Sequence, residues 1–297
     1  MNILILGSSG SIGQVLLKSL NQEGHDVFGI SRNSGDIRKD LLKISDSEIS
    51  EILETNKINI VINSSGVLKP TTLDDYLLNS TILIKFFNNK IGKKLKYIVI
   101  GSAAEYGLTE DSIIEVNKCS PNPQNLYGLS KLTQTAIAEY FKEHFGIDIV
   151  VFRLFNIIAP FLPERSFIGS LISAIKIGSE GVIQVNNDKI ERDFIDLRDF
   201  VSLIINAINK PSINQAIFNV GNGHNVNYKE VIVKAFELLD KYNLPKPRLI
   251  SLHKEEVFST AECNISDTKL TFNWKPKYTL IESLEWCLKE NNLIKEK

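Results

Sequence analysis

The sequence predicts an α/β fold, in which a doubly wound parallel sheet is followed by a smaller mixed α/β lobe. In the first half, short β-branched runs alternate with longer segments that have the periodicity of helices. A glycine-rich turn separates the first strand from the first helix, and the alternation breaks down after about residue 155. Together these patterns predict a sheet that helices cover on both faces.

The predicted strands of the first half are apolar runs that are typical of buried parallel strands. They cover residues 2–6, 26–31, 58–63, 96–101 and 148–154, and the helices predicted between them cover 11–23, 46–56, 73–91 and 125–145. Farther along, the sequence predicts a loop over 159–166, helices over 167–178, 197–209, 227–242 and 280–291, and short strands near 182–185, 216–220 and 248–252. We expect one domain over 1–155 plus roughly 193–222, and a second lobe over 156–192 and 223–297.

Composition and charge argue against several classes of function. The chain carries 34 basic and 35 acidic residues, a net charge of −1, so neither a nucleic-acid nor a membrane partner is expected. Its three cysteines, Cys119, Cys263 and Cys287, are far apart and follow no disulfide or zinc-site pattern. The four histidines are equally scattered, so no metal site is expected. The N-terminus has no signal-peptide pattern and no apolar run approaches about 18 residues, so we expect a cytoplasmic protein.

Three glycines at the junction of the first strand and helix, Gly7, Gly10 and Gly13, form the pattern G-x-x-G-x-x-G. At such a junction the unpaired N–H groups and the dipole of the helix attract an anion. The first glycine permits a tight turn, the second lets a pyrophosphate approach, and the third lets helix and strand pack closely. The pattern therefore favours a dinucleotide on a Rossmann-type sheet over the alternative, a glycine-rich turn that binds no ligand.

The end of the second strand indicates which dinucleotide is bound. NAD enzymes usually place an acidic residue there to bind the ribose 2′-hydroxyl, but this chain has Ser31 and Arg32. A guanidinium group can bind the 2′-phosphate of NADP, which a carboxylate would repel. NADP(H) is therefore favoured over NAD(H), with the alternative that Arg32 is a solvated residue at a strand end.

A serine, a tyrosine and a lysine supply the predicted chemistry. Tyr127 and Lys131 lie four residues apart on a predicted helix and so share one of its faces. A nearby cation favours the phenolate and should lower the pKa of Tyr127, which would make the phenol a usable acid/base group. Ser102 follows the fourth strand, where its hydroxyl could hold a carbonyl oxygen. A lone Y-x-x-x-K occurs by chance in many helices, but here it accompanies the glycine pattern and the serine.

With these motifs the chain resembles the extended short-chain dehydrogenase/reductase family of nucleotide-sugar epimerases, dehydratases and reductases. The resemblance covers nearly the whole length and includes "DLL" (40–42), "NSSG" (63–66), "RLFNIIAP" (153–160), "ERDFIDLRD" (191–199) and "FNVGNG" (218–223). Within the family the chain is most similar to GDP-4-keto-6-deoxymannose reductases, which share the segments written here as "VFGISRN", "GSAAEYG" and "RDFIDLRD".

The resemblance implies roles for the residues at matching positions. Ser102, Tyr127 and Lys131 form the implied catalytic set. The implied cofactor contacts are Gly7, Ser9, Gly10, Ser11, Ile12, Gly13, Ser31, Arg32, Asp40, Leu41, Ser64, Ser65, Gly66, Asn79, Tyr127, Lys131 and Phe155. The implied substrate contacts are Ser102, Ala103, Tyr127, Asn156, Arg192 and Lys254. The resemblance also implies a homodimer that forms a four-helix bundle from the helices around 73–91 and 125–145.

Some positions depart from the family pattern. The family's 4,6-dehydratases carry an Asp-Glu pair directly after the catalytic hydroxyl residue, where this chain has Ala103 and Ala104, so dehydration is disfavoured. Glu105, one place farther on, is expected to be structural. The late arginine that helps to bind the diphosphate is missing, and His253 or Lys254 could replace it. "IAPFLPERS" also stands in place of the usual G-P-G stretch.

These observations predict an NADPH-dependent reductase that acts on the 4-keto group of a nucleotide-linked 4-keto-6-deoxyhexose. The cofactor is expected in the first domain, and the nucleotide-diphosphate sugar in the second lobe. One alternative is a nucleotide-sugar 4-epimerase that uses the same residues with tightly bound NAD. Another is a non-catalytic NADP-binding sensor, against which the intact Ser–Tyr–Lys set argues.

Overall fold

The computed structural model describes residues 1–32, 35–109, 111–252 and 262–295. Its strands are β1 (Asn2–Leu6), β2 (Asp26–Ser31), β3 (Ile37–Arg38), β4 (Ile60–Asn63), β5 (Lys96–Ser102), β6 (Ile113–Ile114), β7 (Asp148–Leu154), β8 (Asn156–Ile158), β9 (Val182–Val185), β10 (Glu191–Asp196), β11 (Ile217–Val220), β12 (Asn225–Asn227), β13 (Arg248–Ser251) and β14 (Glu262–Cys263). Its α-helices are α1 (Ser11–Gln22), α2 (Asp46–Thr55), α3 (Leu73–Ser80), α4 (Ile82–Asn88), α5 (Leu126–Phe145), α6 (Phe167–Ile177), α7 (Leu197–Asn209), α8 (Tyr228–Lys241), α9 (Ser266–Phe272) and α10 (Leu280–Glu290). Short 3₁₀ turns cover Gly92–Lys94, Ala103–Glu105 and Gly178–Glu180.

Seven of the described strands form one sheet in the order β11-β7-β5-β4-β1-β2-β3, and each neighbouring pair is parallel. This arrangement confirms the predicted Rossmann-type sheet. β1 pairs with β2 on one side and with β4 on the other, so the direction of chain progression across the sheet reverses there. At such a reversal the connections diverge and leave a crevice beyond the carboxyl ends of the strands.

Helices cover both faces of this sheet because neighbouring residues of each strand point to opposite sides. In β1, Ile3 and Ile5 belong to an apolar core that includes residues of α1 and α7. Leu4 and Leu6 belong to a second core, which includes residues of α2, α4 and α5. All four side chains are fully buried, which explains why β1 is a continuous apolar run in the sequence.

The described strands also form smaller sheets, with the orders β12-β10-β8, β13-β9 and β14-β6, and all of these strands except β6 follow β7 in the chain. Helices α6, α8 and α10 enclose a third apolar core, in which Leu171, Val231 and Leu284 are buried. The three-stranded sheet matters for the site, because its strand β8 continues directly from β7 and pairs in parallel with β10.

Sequence analysis missed several short elements: β3, β6, β8, β10, β12, β14 and α9. Most of these strands have only two or three residues, so no local periodicity marks them. Except for β3, which pairs with the nearby β2, their partners lie far away in the sequence, as in the pairing of Asn156 with Phe194 between β8 and β10. These short strands form because of tertiary contacts, so local β-propensity does not predict them.

The single helix predicted over 73–91 is wrong, because the chain forms α3 and α4 with a break at Thr81. The hydroxyl groups of Ser80 and Thr81 donate to the carbonyl oxygens of Tyr76 and Leu77, at 2.6 and 3.1 Å. Such back-bonding competes with the helix ladder and bends helices. After α4 the chain continues into the 3₁₀ turn Gly92–Lys94.

Candidate active site

The glycine-rich turn lies at the carboxyl end of β1, against the loop that follows β4. Gly7 has a φ of +80°, and a Cβ built on it would lie 2.6 Å from Ser65 Cα. A Cβ on Gly13 would lie 2.4 Å from the carbonyl oxygen of Gly7. The fold itself therefore requires both glycines, Gly7 for its left-handed backbone and Gly13 for the close contact between α1 and the turn.

Gly10 differs, because the packing of the chain does not require glycine there. Its φ of −74° suits any residue, it is exposed, and the nearest atom to a Cβ would be the Gly7 carbonyl oxygen at 3.4 Å. Gly10 is also the N-cap of α1, and no side chain of the described residues caps this helix terminus. An open backbone surface beside uncapped N–H groups fits the pyrophosphate of a dinucleotide.

Of the other predicted residues of this turn, Ser11 and Ile12 use their side chains within the protein. Ser11 Oγ donates to the carbonyl oxygen of Phe161 at 2.6 Å, which links the start of α1 to the loop after β8. Ile12 packs against the first core, whereas Ser9 is exposed. Ser11 and Ile12 can therefore offer a ligand their backbone N–H groups.

At the end of β2, Ser31 is buried and Arg32 is exposed. The carboxylate of Asp36 accepts a hydrogen bond from the Gly29 N–H at 2.9 Å. Residues 33 and 34 lie outside the described part of the chain. The predicted selectivity residue Arg32 thus borders the site, while the carboxylate of Asp36 is engaged with the strand.

Three further predicted cofactor contacts are Asp40, Leu41 and Phe155. Asp40 Oδ1 accepts a hydrogen bond from the Leu42 N–H at 3.0 Å, and Leu41 is buried in the second core. Phe155 is buried in the first core, directly after β7. Their packing is settled by the fold, and any contact with a cofactor stays a prediction.

Polar side chains that are buried or half-buried hold the loop after β4 in place. Ser64 Oγ donates to the Leu6 carbonyl oxygen at 2.8 Å, and Ser65 Oγ donates to Asn63 Oδ1 at 2.6 Å. Asn79 of α3 is fully buried, and its amide bonds both the N–H and the carbonyl oxygen of Val67, at 2.6 and 2.9 Å. Asn79, predicted as a cofactor contact, therefore uses its side chain to hold this loop in place.

Position 66, at the centre of the same loop, requires glycine. Its φ is +150°, and a Cβ there would approach Asn79 Oδ1 to 2.9 Å. The same Cβ would lie 3.7 Å from Lys131 Nζ. The loop thus brings its backbone close to one of the three predicted catalytic residues.

A tight turn after β5 places Ser102 beside the start of α5. Ser102 is the N-cap of the 3₁₀ turn, and its Oγ accepts a hydrogen bond from the Ala104 N–H at 3.2 Å. A Cβ on Gly128 would lie 2.3 Å from the carbonyl oxygen of Ala104. Glycine at 128 therefore lets the first turn of α5 approach closely enough to bring Tyr127 to Ser102.

Tyr127 is half-buried and Lys131 is buried, one turn apart on α5. Burial raises the pKa of Tyr127, and a hydrogen bond with Ser102 acts in the opposite direction. Burial lowers the pKa of Lys131 to about 8. The expectation that Lys131 lowers the pKa of Tyr127 is therefore wrong for this structure. The ammonium group of Lys131 instead donates a hydrogen bond to the carbonyl oxygen of Ile100, at 2.9 Å.

A buried ion pair that sequence analysis did not identify lies under the turn. Glu105 accepts a hydrogen bond from the Ser102 N–H at 2.9 Å and pairs with Arg153 Nε at 2.7 Å. Arg153 Nη1 also donates to the hydroxyl of Tyr106 at 3.0 Å, which donates in turn to Asn219 at 2.7 Å. This network confirms that Glu105 is structural. The sequence contained a signal for this pair: Arg153 lies within a predicted buried strand, and a buried charge requires a partner.

Two of the predicted substrate contacts, Asn156 and Arg192, lie on β8 and β10. Asn156 Nδ2 donates to the Asp193 carbonyl oxygen at 3.1 Å, and Arg192, half-buried, donates to the Glu191 carbonyl oxygen at 2.7 Å. Ala103 is half-buried in the turn after β5. Lys254 and the alternative His253 lie outside the described residues.

Asp193 is a buried carboxylate beside these residues that sequence analysis did not single out. It accepts hydrogen bonds from the N–H groups of Asn222 and Gly223, at 2.6 and 2.7 Å. Burial raises its pKa to about 6. Asp193 thus joins β10 to the loop after β11.

Two expected absences concern metals and membranes. Among the described residues, no group of three or more His, Cys, Asp and Glu side chains could hold a metal ion. In the same part of the chain, no helix has both the length and the apolar character that crossing a bilayer requires.

Comparison with known proteins agrees with this architecture. The family model for the "NAD dependent epimerase/dehydratase family" matches residues 3–221. UDP-glucose 4-epimerase of Lactobacillus helveticus is 22% identical over 326 residues, which cover 96% of this chain and 94% of the relative. The dTDP-6-deoxy-L-talose 4-dehydrogenase (NAD(P)(+)) of Kitasatospora kifunensis is 23% identical over 235 residues, which cover 74% of each chain.

Solved structures show the same fold. The structure of RMD from Pseudomonas aeruginosa complexed with NADPH has a TM-score of 0.82 and 18% sequence identity, and the match covers 97% of both chains. Structures of similar fold hold NAD or NADPH.

Proposed function

This chain belongs to the NAD dependent epimerase/dehydratase family, and on that premise we propose that it reduces the 4-keto group of a nucleotide-linked 4-keto-6-deoxyhexose with NADPH. The turn after β5 is the observation that carries the proposal. It offers the hydroxyl of Ser102 beside Tyr127, whereas Ala103 and Ala104 have no acid/base group. Glu105, the remaining carboxyl of the turn, is fully buried against Arg153. Removal of water needs an acid and a base at these positions, and reduction needs a proton donor.

The residues of the chain have distinct tasks in this reaction. When bound, a nicotinamide cofactor would supply a hydride to the keto carbon. Ser102 Oγ accepts from the Ala104 N–H, so its own hydrogen can be donated to the keto oxygen. Because burial raises the pKa of Tyr127, its phenol keeps its proton at neutral pH and can deliver it to the developing alkoxide. Lys131 would hold the nicotinamide ribose.

NADPH is proposed as the cofactor because of Arg32. Its exposed guanidinium stands where an acidic residue would bind the ribose of NAD. A planar guanidinium binds a phosphate through paired hydrogen bonds. Cofactor contacts are proposed for the backbone around Gly10, where the uncapped start of α1 faces the site.

A second candidate function is 4-epimerisation with tightly bound NAD. It is favoured by the similarity to a UDP-glucose 4-epimerase over nearly the whole chain. An epimerase would use Tyr127 first as a base and then as an acid, and it would regenerate its cofactor in each cycle. The two functions therefore differ in whether reduced cofactor is consumed.

The test uses that difference. Purified protein is incubated with NADPH and a panel of nucleotide-linked 4-keto-6-deoxyhexoses, and absorbance at the NADPH band is followed. We expect stoichiometric consumption with at least one member. In the second arm, UDP-glucose and UDP-galactose are incubated with NAD or NADP and separated by chromatography. Appearance of the 4-epimer at about one turnover per second or faster, with no consumption in the first arm, would overturn the reductase proposal in favour of the epimerase.

The remaining features of the proposal concern assembly and organisation. An apolar groove of about 610 Å³ on α4 and α5 is lined by Ile84, Leu129, Leu132, Thr133, Ala136, Ile137, Tyr140 and Phe141. Leu129 is 44% exposed and Tyr140 is 52% exposed, so a second copy that packs here as a four-helix bundle would bury them.

The proposed division into domains assigns the cofactor to residues 1–155 and 193–222, and the sugar nucleotide to 156–192 and 223–297. The cytoplasmic location stays a prediction.

A further inference from the structure

Lys131 is held in place by two oxygen atoms of its own chain. Its Nζ donates to the carbonyl oxygen of Ile100 at 2.9 Å and to Oε1 of Gln134 at 3.3 Å. Lys131 and Gln134 share a face of α5, because residues three apart are neighbours on a helix surface. An ammonium group has three hydrogens, so one of them has no acceptor among the residues that the structure describes. Gly66, which presents no side chain, borders this ammonium group.

Gln134 is buried with only half of its amide satisfied. The residue is 1% exposed, its Oε1 accepts from Lys131, and its Nε2 has no hydrogen-bond partner in the described part of the chain. An unpaired buried donor is destabilising. Turning the amide over would place Nε2 against the ammonium group, where two donors would face each other. The oxygen contact with Lys131 is therefore the feature that explains a glutamine at this position.

We propose that Gln134 is a positioning residue for Lys131. Its amide oxygen, with the Ile100 carbonyl, fixes the ammonium group at the Gly66 loop and leaves one hydrogen for the ribose of the cofactor. The inference rests on the proposed function, in which Lys131 holds that ribose. Without Gln134, the long lysine side chain would have one anchor and could turn away from the site.

Few charged groups compete with Gln134 for influence on Lys131. Tyr127 lies one turn earlier on α5, and Glu105 in the turn after β5 raises the pKa of Lys131 against the stronger effect of burial. Glu105 is already paired with Arg153 of β7. Of the other elements around the ammonium group, β5 contributes the Ile100 carbonyl and the loop after β4 contributes Gly66. A change at Gln134 should therefore be visible in the titration of Lys131.

The experiment changes Gln134 in two opposite directions. Gln134→Glu places a carboxylate beside the ammonium group, and Gln134→Met removes the acceptor while keeping the length of the side chain. The titration of Lys131 is followed by NMR of protein with ¹³C-labelled lysine, and Lys131→Met identifies the signal. We expect the pKa of Lys131 to rise by about one unit or more in Gln134→Glu and to fall by about one unit in Gln134→Met. The alkaline limb of the pH profile of kcat/KM should move in the same two directions.

Thr135→Val is the matched control. Thr135 is the next residue of α5, is fully buried, and its Oγ1 also has no partner among the described residues, but it does not bond to Lys131. This variant should leave the titration of Lys131 unchanged. If Gln134→Glu does not fold, as judged by thermal unfolding, Gln134→Met and the control still decide the matter.

The outcomes separate this inference from the proposed function. A Lys131 pKa that is equal in wild type, Gln134→Met and Thr135→Val overturns the positioning role, even if the sugar panel confirms a 4-ketoreductase. Opposite shifts in the two Gln134 variants support the role, even if the panel shows an epimerase, because the titration needs no substrate.

Discussion

Replacing Arg153 with methionine should destabilise the protein far more than the loss of a surface ion pair. Arg153 Nε and Glu105 Oε2 lie 2.7 Å apart, and the exposed fractions of the two side chains are 4% and 0%. Methionine keeps the apolar stem but leaves the carboxylate buried without its cation. Breaking a buried pair by removing one partner costs about 3–5 kcal/mol, so we expect the free energy of unfolding to fall by that amount.

A second substitution tests the cause of this loss. Glu105→Gln removes the negative charge, while its amide oxygen can still accept from the Ser102 N–H. The double variant Arg153→Met/Glu105→Gln should therefore be more stable than Arg153→Met alone. It should also retain the orientation of Ser102, so its turnover should exceed that of the single variant.

The assay is urea unfolding followed by tryptophan fluorescence, since Trp274 is buried in the first core. Lys234→Met is the control, because its pair with Glu237 is 39% and 47% exposed and should contribute less than about 1 kcal/mol. The reasoning is refuted if Arg153→Met costs no more than this control, or if the double variant is less stable than the single one.

The central sheet could be predicted because its signal is local. Each of β1, β2, β4, β5 and β7 is a run of β-branched or apolar residues, since both faces of a parallel sheet are buried. The strands β8 and β10 could not be predicted in this way. They are defined by pairing with each other across a long stretch of sequence, as in Asn156 with Phe194.

In the candidate site, too, the features with a local sequence signal could be predicted, and those that depend on distant contacts could not. The glycine pattern predicts the turn, because a left-handed backbone at Gly7 and a close contact at Gly13 require glycine whatever the rest of the chain does. Spacing placed Tyr127 and Lys131 on one face of α5, but it could not show where a flexible lysine side chain ends. The Ile100 carbonyl oxygen decides that, and it belongs to another element.

Four further predictions concern the cofactor and the chemistry. Tyr127→Phe should lower turnover at least about 100-fold while calorimetry shows normal cofactor binding; near-normal turnover would contradict its role as proton donor. Arg32→Asp should shift the ratio of NADPH to NADH affinity about 10- to 100-fold towards NADH, and wild-type protein that already binds NADH more tightly would show the NADP assignment to be wrong. Burial raises the pKa of Asp193 from 3.8 to about 6, so the folded protein binds a proton before the unfolded chain does, and the destabilisation by this carboxylate is relieved as pH falls from about 7 to 4. Asp193→Asn should remove about 3 kcal/mol of that pH dependence, measured by urea unfolding at both ends of the range.

The last prediction compares two glycines of one turn. Gly7→Ala should destabilise the fold, because its Cβ would meet Ser65 Cα at 2.6 Å with a φ of +80°. Gly10→Ala should leave the unfolding temperature within a few degrees of wild type, because its φ is −74° and its Cβ would meet nothing closer than 3.4 Å. Its methyl group would nevertheless stand where a pyrophosphate must approach the start of α1, so dinucleotide affinity should fall at least about tenfold, or about 1.4 kcal/mol. A stable Gly10→Ala protein that binds NADPH and NADH as tightly as wild type would mean that the turn does not hold the pyrophosphate.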